Sequence, residues 1–113
     1  MHEAGLIADA VGAALRNGPP GGDPGTFVRP RAIRIRVTDP VHVSADAARL
    51  YAEVVLRAQD LGDVPLEIES VEVACTGCGA VNHHPEPRHP FCDACGWPLP
   101  RATGPEVEVS AAW

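Results

Sequence analysis

Apolar residues recur along the chain in two periods. From Glu3 to Arg16, Leu6, Ile7, Ala10, Val11, Ala14 and Leu15 fall on one face at helical spacing, with Glu3, Asp9 and Arg16 elsewhere. This predicts an amphipathic helix that ends at Asn17-Gly18-Pro19, where glycine can turn left-handed and proline cannot continue the ladder. Residues 18–25, rich in glycine and proline, read as a connecting loop. Ile33, Ile35 and Val37 then alternate with Arg34 and Arg36, the pattern of a strand with one face buried and one solvated. Ser44 is placed to cap a second helix over 44–61, with Asp46 in its first turn, an apolar stripe of Ala47, Leu50, Tyr51, Val54, Ala58 and Leu61, and Gly62 closing it.

A second strand follows at Leu66-Glu67-Ile68-Glu69. Its apolar parity flips at Ser70 to give Val71 and Val73, which predicts either a bulge or a strand leaving one sheet for another surface. That segment runs straight into Cys75. A last short strand is expected around Val107 and Val109, reached through a connection over 98–105. The final strand can join the sheet only if the cysteine-bearing segment is an insertion between sheet strands. The expected architecture is α+β: two amphipathic helices on a three-stranded sheet, with residues 1–73 plus 105–113 forming one unit and residues 74–104 an inserted zinc ribbon.

Cysteine usage carries the strongest chemical signal. The only cysteines form two knuckles, Cys75-Thr-Gly-Cys78-Gly79 and Cys92-Asp-Ala-Cys95-Gly96, with 13 residues between them. Two such pairs can close a tetrahedral four-sulfur site on zinc, and a glycine after each pair suits a turn that must go left-handed. Two disulfides would need an oxidising compartment, yet no secretory signal precedes the segment. A redox-active C-x-x-C belongs in a thioredoxin-like βαβ pattern, which the flanking residues lack. Rubredoxin-type iron is the remaining competitor to zinc.

Composition narrows the partners. The chain of 113 residues carries a formal charge of −6, and all nine of its basic residues are arginine. Net acidity argues against nucleic acid as the main partner, because phosphate binding draws on Lys and Arg. No apolar run approaches the roughly twenty residues of a membrane span, so a cytoplasmic protein is expected. Arg29, Arg31, Arg34 and Arg36 gather along the first strand and its approach, as a solvated face or as a stripe for an acidic partner. His83, His84 and His89 lie between the knuckles, in a proline-stiffened loop that reads as solvated surface, with a secondary metal site or a pH sensor beside the zinc as alternatives. No nucleophile can be paired with a base, so no enzymatic activity is expected.

The chain begins Met1-His2-Glu3. The α-amine of Met1, the amide of His2 and its imidazole can chelate a metal in fused rings, a nitrogen-rich tetragonal set suited to Ni(II) or Cu(II). The positive end of the helix dipole opposes a cation there, and Glu3 offsets it. Binding at this set should rise with pH, because amine and imidazole must lose protons.

Taken together, the His2-Glu3 start on an amphipathic helix, the strand feeding the first C-x-x-C, and the second C-x-x-C before a closing strand resemble the HypA/HybF family. Those proteins are nickel metallochaperones of [NiFe]-hydrogenase maturation, and some also serve urease. The resemblance implies that His2, with the Met1 amine and Glu3, receives Ni(2+) as transient cargo. It further implies that Cys75, Cys78, Cys92 and Cys95 hold a structural Zn(2+). Implied partners are a nickel-handling GTPase and the hydrogenase large subunit, with the protein a monomer or weak homodimer. The chain differs from the family's usual pattern at Ala4-Gly5, over 37–43, at Ser44, and in having Asp93-Ala94 inside the second knuckle. In place of the carboxylate usual at position 44, Asp39 or Asp46 would supply acidic support to the nickel.

Overall fold

The computed structural model describes residues 2–22 and 27–113, residues 2–4 by backbone alone. Helix α1 (His2–Asn17) leads to strand β1 (Ala32–Val37), helix α2 (Ala45–Ala58) and strand β2 (Leu66–Ser70). Two short strands, β3 (Val73–Ala74) and β4 (Val81–Asn82), precede the closing strand β5 (Val107–Ala112). The fold is α+β, with two helices against one face of a three-stranded sheet.

The sheet order is β2-β1-β5. Strand β1 is central, parallel to β2 across the α2 crossover and antiparallel to β5. Ile33, Ile35 and Val37 point inward and are fully buried, as their alternation requires. They meet Ile7, Val11 and Leu15 of α1 and Ala48, Ala52 and Leu56 of α2 in one core. On the other face, Arg34 stands beside Glu67 in the β1–β2 register and Arg36 beside Glu69, each forming an ion pair, at 3.0 and 3.7 Å. The arginines of β1 therefore form the solvated face that their alternation predicts, as charge-balanced cross-strand pairs rather than a free basic stripe.

The two helices match the sequence differently. On α1 the predicted stripe is the buried one, and Gly18 takes the left-handed conformation (φ 65°) just past the helix end. On α2 the expected stripe is right only in part: Leu61 is buried and Tyr51 packs on the core, but Leu50 and Val54 are 57% and 55% exposed, and Ala48, Ala52 and Leu56 form the buried face. Both stripes have helical spacing, and small side chains let α2 approach α1 and the sheet more closely than leucine and valine would. The end of α2 also differs. It stops at Ala58, and Asp60 rather than a glycine is left-handed (φ 59°). Leu61 N–H bonds the Leu56 carbonyl at 2.8 Å and Asp60 N–H bonds that of Arg57 at 3.2 Å, a Schellman cap sealed by buried Leu56 and Leu61.

Past Ser70 the chain leaves the sheet. Leu66 and Ile68 pack on the main core, whereas Val73, after the parity flip, packs on a second cluster of Cys75, Cys92 and Leu99. Strands β3 and β4 pair antiparallel in a separate two-stranded sheet, and the chain returns to β1 only at β5. The cysteine-bearing segment is thus inserted between β2 and β5. The molecule is elongated, 52 × 26 × 21 Å. No described helix is long and apolar enough to cross a membrane.

Candidate metal centre

Each knuckle closes on itself in the same way. Cys75 N–H donates to the Ala80 carbonyl at 2.9 Å, and Gly79 N–H returns to the Cys75 carbonyl at 2.9 Å. In the second knuckle Cys92 N–H donates to the Trp97 carbonyl at 2.7 Å, and Gly96 N–H returns to the Cys92 carbonyl at 2.8 Å. Gly79 and Gly96 adopt φ of 78° and 76°, conformations strained for any residue with a Cβ. Both glycines were expected to turn this way. The first cysteine of each pair is consequently buried and the second exposed.

The knuckles face each other across the four sulfurs. Cys75 Sγ lies 3.7 Å from Cys95 Sγ, Cys78 Sγ lies 3.7 Å from Cys92 Sγ, and all four sulfurs are within 4.8 Å of one another. Four sulfurs about 2.3 Å from one zinc ion occupy tetrahedron corners about 3.8 Å apart, so this cluster has the dimensions of such a site. The four thiols are free, and each of the two 3.7 Å pairs joins a sulfur of one knuckle to a sulfur of the other. The disulfide alternative has no support in this arrangement.

Protonation follows from the same geometry. The Asn82 amide, then the N–H of Cys95, hold the Cys92 thiol down at about 6 despite its burial. Burial opposes the Cys75 thiolate, but the N–H groups of Cys78 and Gly77 and the thiols of Cys95 and Cys78 outweigh it and lower its pKa. Cys95 behaves oppositely. The Trp97 N–H favours its thiolate, yet burial and three neighbouring sulfurs together push it up to about 12. Four adjacent thiolates would repel one another, and a divalent cation between them would supply the missing charge.

Sequence reasoning missed two residues that join the knuckles. Asn82, 5% exposed, takes a hydrogen bond from Asp93 N–H at 3.0 Å and places its own amide nitrogen 3.6 Å from Cys92 Sγ. Trp97 lies over Gly77, where an added Cβ would come within 3.0 Å of the indole. Neither position belongs to a periodic pattern, although an asparagine directly ahead of the histidine-proline loop was a visible polar intrusion. The loop histidines do not converge. His83 Nδ1 pairs with Glu72 at 3.0 Å, His89 Nε2 with Asp93 at 3.1 Å, and His84 lines a cleft with Ser44, Asp46 and Glu86. Among the described residues, the four cysteines are the one group of three or more His, Cys, Asp or Glu side chains near enough to share an ion.

The amino-terminal set stands apart. Met1 and the side chains of His2 and Glu3, the expected nickel ligands, lie outside the described residues. Of the two carboxylates expected to support them, Asp39 is buried 3.9 Å from both His42 and Arg101, and Asp46 lies exposed at the start of α2. Compared with known proteins, the chain matches no protein-family model, and no curated protein is significantly similar to it. Its residues and their geometry therefore carry the functional assignment.

Proposed function

We propose that the chain is a nickel metallochaperone of the HypA/HybF type. In this reading Ni(II) is taken up by the Met1 amine, His2 and Glu3, and is handed on with a nickel-handling GTPase to the large subunit of a [NiFe]-hydrogenase, or to urease. Cys75, Cys78, Cys92 and Cys95 hold a structural zinc ion, making residues 74–104 a zinc ribbon. Zinc supplies a cross-link between the knuckles and no redox chemistry. The protein transfers a metal and catalyses nothing.

One observation supports this reading above the others: a four-sulfur cluster of zinc dimensions, inserted between two strands of an α+β unit whose first helix opens with His2-Glu3. That is the organisation the resemblance implies. Titrating Ni(II) into zinc-loaded wild type and His2→Ala protein by calorimetry tests it. One nickel per chain in the wild type, weakened at least about tenfold by His2→Ala, is expected, in keeping with the loss of a ligand. Equal single-site affinity in both proteins would sink the assignment to His2.

A zinc-ribbon adaptor without cargo is the second reading. Val81, Phe91 and Trp97, 50%, 44% and 57% exposed on the arm, favour it as apolar surface available to another protein. It predicts no stoichiometric nickel in the same titration. An iron electron carrier would instead show visible thiolate absorption as isolated, so a colourless zinc protein excludes it.

A further inference from the structure

A buried asparagine on a short strand is costly unless every polar atom is used, because an unpaired amide forfeits its solvation. Asn82 of β4 uses all of its polar atoms. Its Nδ2 lies 3.4 Å from the Val73 carbonyl, 3.4 Å from the Ala80 carbonyl and 3.6 Å from Cys92 Sγ, and its Oδ1 accepts from Asp93 N–H at 3.0 Å. The amide can face only one way. A backbone N–H must meet its oxygen, and two carbonyls must meet its nitrogen.

These partners belong to opposite sides of the centre. Val73 and Ala80 flank the first knuckle, while Cys92 and Asp93 open the second. One side chain therefore ties the two halves of the site together. It also brings a donor to Cys92 from outside the second knuckle, whereas the backbone donors to that sulfur, Cys95 and Ala94, come from within it.

We infer that Asn82 is a positioning residue of the metal centre: it holds the second knuckle against the first and withdraws charge from Cys92 Sγ, and so sets how long the ion is retained. The inference rests on the proposed zinc site. A donor to a metal-bound thiolate stabilises the sulfur lone pairs, and outer partners that orient a ligand cost roughly 10–100-fold in metal affinity when removed.

The test uses the full chain with Asn82→Leu, which keeps the branched heavy-atom skeleton but has no polar atoms, and Asn82→Asp, which keeps the shape and the acceptor for Asp93 N–H. Zinc release to excess chromogenic chelator and the sulfur-to-metal charge-transfer band of the Co(II)-substituted proteins are measured. Asn82→Leu should release zinc roughly 10–100-fold faster. Its Co(II) band should move to lower energy, and that of Asn82→Asp further still, because a carboxylate adds negative charge beside the sulfur. Should Asn82→Leu not fold, the release rate and band of Asn82→Asp carry the test. Release within about twofold of wild type, with superimposable bands, overturns the inference. Faster release with an unmoved band also overturns it, reducing Asn82 to a packing residue. A wild-type protein that retains no zinc overturns the zinc reading itself, and the inference with it.

Discussion

Left-handed backbone positions show how single residues shape this chain. Gly18, Gly79 and Gly96 take positive φ where turns demand it, and each could be anticipated from its place after a helix or a C-x-x-C pair. Asp60 was not anticipated, because Gly62 is the residue that looks like a helix stop. The cap is decided by burial: Leu61 must reach the Leu56 carbonyl and the core together, which puts the left-handed turn ahead of Gly62, on Asp60. A residue with a Cβ pays about 1–2 kcal/mol in that conformation, partly relieved for Asp, and glycine has its own entropy to lose. Asp60→Gly should therefore stabilise the protein by about 0.5–1 kcal/mol, raising Tm by about 2–6 °C. A thermal melt of zinc-loaded protein checks this, and an unchanged or lower Tm would show that the αL geometry costs nothing here. Asp39 and Asn82 mark the limit of residue-level reading. Each is a buried polar side chain with partners outside its own segment, Arg101 for Asp39, and Cys92 and Asp93 for Asn82.

At the scale of elements, periodicity predicted every major helix and strand, but it could not choose between two stripes on α2. Ala47, Leu50, Tyr51 and Val54 look like a better core face than Ala45, Ala48, Ala52 and Leu56 if apolar area alone is counted. Packing reverses the choice, since α2 touches both α1 and the sheet and alanines permit that approach. Strand β1 presented no such ambiguity, because its buried face is apolar and its solvated face is charged. The two faces should respond very differently to truncation. Ile35→Ala opens a cavity at the centre of the core and should cost about 3 kcal/mol, a large share of the roughly 5–15 kcal/mol typical of a whole domain. Arg34→Ala breaks an ion pair between side chains 64% and 58% exposed and should cost less than about 0.5 kcal/mol. Urea unfolding of the zinc-loaded variants, followed by helix circular dichroism, measures both. Comparable losses from the two substitutions would mean that the open sheet face is not solvated as described.

The molecule as a whole is two hydrophobic clusters of unequal kind. Its radius of gyration, 15.9 Å, exceeds the roughly 13 Å of a compact domain of about this length, because the cysteine arm projects from the helix-covered sheet. The insertion was legible from strand order alone. The clasp at its base was not. Val41, from the β1–α2 connection, packs on the arm cluster; Arg101 from the arm's return bonds His42 at 3.0 Å; and the N–H groups of Thr38 and Asp39 donate to the Glu106 carbonyl at 3.0 and 3.2 Å. No periodic pattern connects residues so far apart in sequence. The main core is aliphatic and self-sufficient, whereas the arm cluster consists of Cys75, Cys92 and Leu99 with three partly buried neighbours, too little apolar surface to order a segment by itself. Metal removal should accordingly melt the arm and spare the body. Hydrogen exchange before and after chelation reads this out residue by residue. The amides of Cys75, Gly79, Cys92, Gly96 and Leu99, which bond carbonyls inside the arm, should lose protection. Those of Ile33 to Val37 and of α2 should keep it, and the helical circular dichroism should persist. Loss of protection in both regions together would instead make the clasp strong enough to unite arm and body in one cooperative unit. Retained protection in the arm would deny the metal its structural role.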